Sequence, residues 1–243
     1  MDASSAACYS PSAPVRPTIL LFDIDGTLIT TGGVGRRAIE RAFGELHGES
    51  EACTRFRFDG MTDRLIARTG LTLLGVEPTE AVIDALLTAY VRLLEDEVER
   101  ADAAKYRVHD GIAEALETAR HLGMGVGLGT GNVVEGARIK LSRVGIFEKF
   151  AFGGFGSDAE DRAALIRRGA ERGAEHLKVP LAECRVVVIG DTPKDVDAAR
   201  AIGAESIGVG TGGFSTRELA EHGATAAFDS LSAPGALDVM LGC

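Results

Sequence analysis

From residue 106 onward, short runs of Val, Ile, Leu and Gly alternate with stretches that repeat apolar residues at helical spacing. No other feature restricts the fold of this chain as strongly. The helical period over 112–122 (IAEALETARHL) gives way to GMGVGLGTGN, a short strand running into a turn. A helix near 133–145, a strand near 149–153, a helix near 158–177, a strand over 186–189 and a helix from Pro193 continue the pattern. Two further short strands are expected at 206–209 and 224–228, each followed by a helical stretch. Strands that alternate with helices pair in parallel and are covered on both faces. The expected fold class is therefore α/β, a doubly wound parallel sheet of Rossmann-like form.

The apolar run at 18–22 breaks this regularity, because no simple crossover helix follows it. Instead comes a block rich in Arg, Glu, Leu and Ala, with helical patterns near 34–47, 62–74, 79–88 and 88–100. Few strand signals occur there, so the block is expected to be an all-helical insertion. The expected organisation is a flexible tail over 1–16, an α/β core made of 17–30 and 106–243, and a helical insertion over 31–105. The tail carries no apolar stretch of the signal-peptide kind, and no apolar run reaches the roughly 20 residues of a membrane span.

Composition narrows the partners. With 36 acidic and 26 basic residues the chain has a formal net charge of -10. That balance argues against non-specific nucleic-acid binding, which depends on Lys and Arg displacing counterions from phosphates. A small anionic substrate held in a local positive pocket remains compatible with it. Cys8, Cys53, Cys184 and Cys243 show no metal or redox spacing, so reduced thiols in a cytoplasmic protein are expected; either a monomer or a homodimer is compatible with the sequence.

Three positions carry unusual chemistry, and all fall at the carboxyl ends of expected strands. Asp23 and Asp25 follow ILLF in ILLFDIDGTL, Thr130 ends GVGLGT, and Asp191 follows VVVIG. Side chains two apart on an extended chain point the same way, so Asp23 and Asp25 face one space. In open α/β sheets ligands bind outside these strand ends. Several carboxylates removed from water need a compensating cation, and Mg²⁺ prefers such all-oxygen ligation. Beside Thr130, Gly129 and Gly131 leave backbone N–H groups open to an anion. A phosphoryl oxygen is thus expected to accept from the Thr130 hydroxyl and the Gly131 amide. In GDTPKD, Asp195 has the spacing of a helix-capping acid, a role compatible with supporting the site from behind.

FDIDGTL, GLGTGN and GDTPKD, in this order, resemble three of the four motifs of the haloacid dehalogenase-like (HAD) hydrolases. The resemblance spans most of 18–230, and the insertion sits where the family carries the helical cap of phosphoglycolate phosphatase and β-phosphoglucomutase relatives. It implies that Asp23 is a nucleophile forming an aspartyl-phosphate and that Asp25 is the general acid and base. It also implies a Mg²⁺ held by the Asp23 carboxylate, the Asp25 backbone carbonyl and Asp191. The third motif departs from the pattern, since GSDAEDRAALIRR lacks the usual lysine. Arg162 is the first candidate for that cation and Lys140, on the helix after Thr130, the second. Dehalogenase and phosphonate-cleaving relatives lack the second acid, and no lysine occurs before residue 105 to form a Schiff base.

The reading that results is a Mg²⁺-dependent phosphatase acting on a small phosphorylated metabolite of phosphoglycolate or sugar-phosphate type. A phosphomutase and a phosphate-binding module without turnover are the alternatives. Specificity is expected from the insertion. There FDGMTDR either caps a helix or dips over the site, offering Thr62, Asp63 or Arg64 to the leaving group. Arg36, Arg37 and Arg41 read as a solvated helix face. Glycines near 30–33 and 108–111 mark expected hinges.

Overall fold

The computed structural model describes residues 16–242. Of the tail expected over 1–16 only Arg16 falls within it, and Cys8 and Cys243 also lie outside the described residues. The chain begins with β1 (Thr18–Phe22) and β2 (Ile29–Thr30), then the helices α1 (Val34–His47), α2 (Asp63–Leu73) and α3 (Glu80–Glu99). Next come β3 (Arg107–Val108), α4 (Ile112–His121), β4 (Gly125–Thr130), α5 (Val134–Ser142), β5 (Phe152–Phe155) and α6 (Arg162–Leu177). The last elements are β6 (Arg185–Gly190), α7 (Pro193–Ala201), β7 (Glu205–Val209), α8 (Thr216–Glu221), β8 (Ala226–Phe228) and α9 (Ala236–Leu241).

Six strands form one sheet in the order β5-β4-β1-β6-β7-β8, and every pairing in it is parallel. β1 is buried throughout because it lies at the centre, with a covered layer on each side. Its alternating side chains feed two separate apolar cores. Leu20 and Phe22 point to the face covered by α4, α5 and α9, where Leu116, Leu141 and Met240 pack. Ile19 and Leu21 point to the other, with Leu165 and Ile166 of α6 and Ala198 of α7. From β1 the strand order runs outward in both directions, through β4 to β5 and through β6 to β8. A crevice for ligands opens at such a switch point, at the carboxyl ends of the strands.

β2 and β3 form a two-residue antiparallel pair, Ile29 opposite Val108 and Thr30 opposite Arg107. This pair ties together the two stems through which the chain enters and leaves the helices α1 to α3. Apolar side chains of those helices, among them Phe43, Leu86 and Tyr90, continue the core of the α4–α5 side.

Some boundaries differ from the sequence expectation. The two helices expected at 79–88 and 88–100 are one, α3, whose 20 residues contain neither Gly nor Pro. Its start is marked by Thr79, which accepts a hydrogen bond from the Val82 N–H, and Ile83, Leu86, Leu87, Tyr90, Leu93, Leu94 and Val98 make one continuous buried stripe. The strand expected near 149–153 begins later, where Phe152 pairs with Gly127. Likewise α6 starts at Arg162, after Asp161 caps it by accepting from Ala164 N–H, not near 158.

Candidate active site

The site grows out of the end of β1. Asp23 stays in the sheet for one more residue, its N–H donating to the Ile189 carbonyl at 2.9 Å. Beyond it the chain turns at Gly26, which adopts a left-handed φ of 85°. A Cβ there would sit 2.4 Å from Asp191 Oδ2, so glycine lets the turn lie against the carboxylate that follows β6. Thr27 then donates its hydroxyl to Asp191 Oδ1 at 3.1 Å. Asp23, Asp25 and Asp191 line one cavity of about 350 Å³.

Two cations enter this cavity and engage different carboxylates. Arg162, buried at the start of α6, lies 3.2 Å from Asp23 Oδ1 and donates from Nε and Nη2 to Asp195 Oδ1 at 3.0 and 2.5 Å. Lys140 of α5, also buried, places Nζ 2.6 Å from Asp25 Oδ2 and 2.6 Å from Asn132 Oδ1. Both candidates for the third-motif cation therefore reach the site, and Arg162 is the one beside Asp23.

Burial acts strongly on the carboxyls. It raises Asp23 from 3.8 to about 6; Arg162 opposes the shift, while Asp195 and Asp25 add to it. Asp191 is pushed to about 8, again chiefly by burial and then by repulsion from Asp23. A carboxylate cluster that resists ionisation in this way is stabilised by a positive ion between its members. Asp23, Asp191 and Asp195 offer oxygens that lie within 4.8 Å of one another. Asp195 is already committed, however. Its Oδ1 holds Arg162, and its Oδ2 accepts from the Thr192 N–H and hydroxyl at 3.1 and 2.7 Å.

Asp191 and Asp23 thus remain as the carboxylates able to ligate, and their hard oxygen donors fit a divalent cation such as Mg²⁺. The open approach to Asp191 depends on Gly212, where a Cβ would fall 1.7 Å from Oδ2. Gly212→Ala is expected to displace that carboxylate and weaken Mg²⁺ binding about 10- to 100-fold. Calorimetric titration of the folded variant with Mg²⁺ checks this.

The remaining sequence candidates divide. Gly131 lines the cavity and its carbonyl accepts from Asp63 N–H at 2.8 Å. Thr130 is fully buried and reaches the site through Asn132, whose Nδ2 donates to Thr130 Oγ1 and to Asp25 Oδ2, both at 2.9 Å. Asp63 lines the cavity; its Oδ2 accepts from Val133 N–H at 2.8 Å, and burial raises its carboxyl to about 6. Thr62 and Arg64 are not brought to the cavity. Thr62 caps α2 by accepting from Leu65 N–H and donates to the Glu160 carbonyl, while Arg64 pairs with Glu80 and Asp84.

The arginine face of α1 also corrects the expectation. Arg37 and Arg41 share Glu97 of α3, whereas Arg36 turns to the cavity, its guanidinium 3.9 Å from the Phe58 ring centroid. Asn132, Arg36 and Tyr90 are cavity residues that the sequence reading missed. The only local signal for Asn132 was its place two residues after Thr130 in the turn. For Arg36 it was the pair of glycines just before it, Gly33 and Gly35.

A family model described as haloacid dehalogenase-like hydrolase matches residues 17–203, from β1 through α7. The chain belongs to the haloacid dehalogenase-like hydrolases. Every acid and cation described above lies inside that span. Among solved structures, this HAD-like hydrolase is similar to CbbY from Rhodobacter sphaeroides in complex with phosphate. That pair shares 20% identity and a TM-score of 0.68, covering 91% of this chain and 99% of the other. A hydrolase from Pseudomonas syringae shares 22% identity and a TM-score of 0.65, covering 88% and 94%. A predicted phosphoglycolate phosphatase from Haemophilus somnus shares 15% identity and a TM-score of 0.65, covering 93% and 97%. At these identities the likeness speaks for the fold alone. No curated protein matches the sequence. Among the described residues, no helix is long and apolar enough to cross a membrane.

Proposed function

We propose that this HAD-like hydrolase is a cytoplasmic, Mg²⁺-dependent phosphatase that hydrolyses a small phosphorylated metabolite through an aspartyl-phosphate on Asp23. The carrying observation is the pairing of roles at the strand end. Asp23 is buried against Arg162, while Asp25 faces the same cavity and is held by Lys140 and Asn132. Phosphoglycolate or a sugar phosphate is the substrate class we favour. R. sphaeroides CbbY has been solved with phosphate and with xylulose-1,5-bisphosphate, and the cavity here would accommodate a leaving group of that size.

Asp23 attacks phosphorus through one carboxylate oxygen, and the ester P–O bond breaks as the new bond forms. Asp25 gives its proton to the departing oxygen. It then takes a proton from the water whose oxygen attacks the aspartyl-phosphate, and inorganic phosphate leaves as the bond to Asp23 breaks. Arg162 and the Gly131 N–H hold the non-bridging oxygens, with Thr130 supporting Asn132 and Asp195 fixing the guanidinium from behind. The carboxylates of Asp23 and Asp191 and the backbone carbonyl of Asp25 would hold Mg²⁺, which would supply charge neutralisation between nucleophile and phosphoryl group.

We assign 31–105 as a cap that closes over the crevice and excludes water. Gly32, Gly33 and Gly111, all at positive φ, flank the β2–β3 stems and supply hinges. In the closed arrangement Asp63 and Arg36 face the leaving group.

The test is phosphate release from p-nitrophenyl phosphate, phosphoglycolate and a panel of sugar phosphates, with Mg²⁺ and then with EDTA. Release that depends on Mg²⁺ is expected. Binding of these esters without release would leave a non-catalytic phosphate binder, and interconversion of sugar-phosphate isomers without release would make the chain a mutase.

A further inference from the structure

Lys140 has been given a contact with Asp25 but no part in the chemistry. It is an ammonium in the protein interior, and such a group persists there only when paired and hydrogen-bonded. Its partners form a closed set. Nζ lies 2.6 Å from both Asp25 Oδ2 and Asn132 Oδ1, and Asn132 Nδ2 returns to the same Asp25 oxygen at 2.9 Å. The ammonium fixes the orientation of the Asn132 amide, since only the amide oxygen can accept from it. That leaves the amide nitrogen aimed at Asp25 Oδ2 and at Thr130 Oγ1. Packing closes the arrangement on the other side. A Cβ on Gly35, in the first turn of α1, would lie 3.2 Å from Lys140 Nζ.

We propose that Lys140 is a positioning residue for proton transfer, acting through Asp25 together with Asn132. Resting on the phosphatase reading, this assignment gives the two oxygens of Asp25 different tasks. Oδ2 is occupied by two donors and cannot carry a proton as well, so the transferable proton sits on Oδ1. In the first step Asp23 bonds to phosphorus, the ester P–O bond breaks, and the Oδ1 proton moves to the departing oxygen. Asp25 is left as a carboxylate with the ammonium already 2.6 Å from it. A donor set in advance where negative charge develops lowers the barrier without reorganisation. In the second step Oδ1 receives the proton of the attacking water while Oδ2 keeps the carboxyl in place. Arg162 holds Asp23 and Asp195, while Lys140 serves the proton carrier.

Leaving-group basicity separates this role from substrate binding. p-Nitrophenoxide departs with little protonation, whereas phenoxide, nearly the same shape, needs the acid. Lys140→Met, a side chain of similar length without charge, is expected to lower kcat/KM on phenyl phosphate, which reports only the step in which the leaving group departs, about 100-fold. On p-nitrophenyl phosphate the loss of kcat/KM should stay within about 3-fold, while kcat, which includes the shared hydrolysis of the aspartyl-phosphate, falls on both esters. Asn132→Ala, which keeps the ammonium and removes the second donor on Oδ2, should show the same selectivity at smaller size. In Asp25→Asn, adding Lys140→Met should cost nothing further on phenyl phosphate, because both changes act on one proton transfer. Equal losses of kcat/KM on both esters, or additive losses in the double variant, would overturn the assignment and leave the phosphatase reading standing. A parent chain that releases phosphate from neither ester would remove both.

Discussion

Replacing Asp23 by Asn is expected to lower phosphate release by about 10⁴-fold or more, the scale seen when a nucleophile is removed from a unit that acts as one. The same change should make the metal-free protein more stable. Burial lifts the Asp23 carboxyl from 3.8 to about 6, so the folded chain holds that proton more tightly than the unfolded chain does. Stability therefore falls as pH rises from about 4 to about 6 and stays reduced above that range. A carboxyl raised this far costs the fold roughly 3 kcal/mol at neutral pH. Asparagine is neutral and removes the cost, although Arg162 loses a partner 3.2 Å away, leaving a net gain of about 1–2 kcal/mol. For a chain of this length that is a rise of about 3–6 °C in Tm. Melting curves in EDTA at pH 7 should show it, and it should fade towards pH 4, where the folded parent holds Asp23 protonated. Saturating Mg²⁺ should shrink the gap, because the cation stabilises the parent through the charge that the variant lacks. A variant that is inactive yet no more stable than the parent at pH 7 in EDTA would contradict this account of the site.

Arg162→Met should fail in the opposite direction, losing stability together with activity. The guanidinium is buried and serves Asp23, Asp195 and the Gly60 carbonyl at once. Removing it strands two carboxylates in the interior, and breaking a buried pair from one side costs about 3–5 kcal/mol. A Tm fall of about 10 °C follows for a chain of this size. Phosphate release should drop by about 100-fold or more, since the nucleophile and the bound phosphoryl group lose their shared cation. Arg162→Lys should recover part of the stability but little of the rate. A single ammonium cannot reproduce the two-pronged contact with Asp195 at 3.0 and 2.5 Å while also reaching Asp23. Thermal melts and turnover measured on the same preparations separate the two effects.

Local chemistry made much of this legible in the sequence. A strand covered on both faces must be apolar throughout, so ILLF announced a central strand. The alternation after residue 106 announced the parallel sheet that the structure contains. Asp23, Asp25 and Asp191 could be picked out because each follows such a run, and the switch-point geometry gathers the ends of β1, β4 and β6. Helix period was also readable, whereas boundaries were less so. α3 stays one helix while its buried stripe packs against α1, α2 and α5, partners distant in the chain.

Tertiary structure alone decided which cation meets which acid. Lys140 and Arg162 each follow a strand of the same half of the sheet, and the sequence ranked them, Arg162 first, as candidates for one role. They are not, because α5 packs on one face of the sheet with Leu141 in its core and α6 on the other with Leu165 and Ile166. The two side chains approach the carboxylates from opposite sides, and Lys140 meets Asp25 while Arg162 meets Asp23. The same holds for the insertion. Arg36 faces the cavity and Arg64 does not, since their directions depend on Phe58, Glu80 and Asp84 as neighbours. Periodicity and strand-end position are properties of neighbouring residues and can be read along the chain; the pairing of charges more than 100 residues apart depends on how helices are laid across a sheet, and only the folded chain sets it.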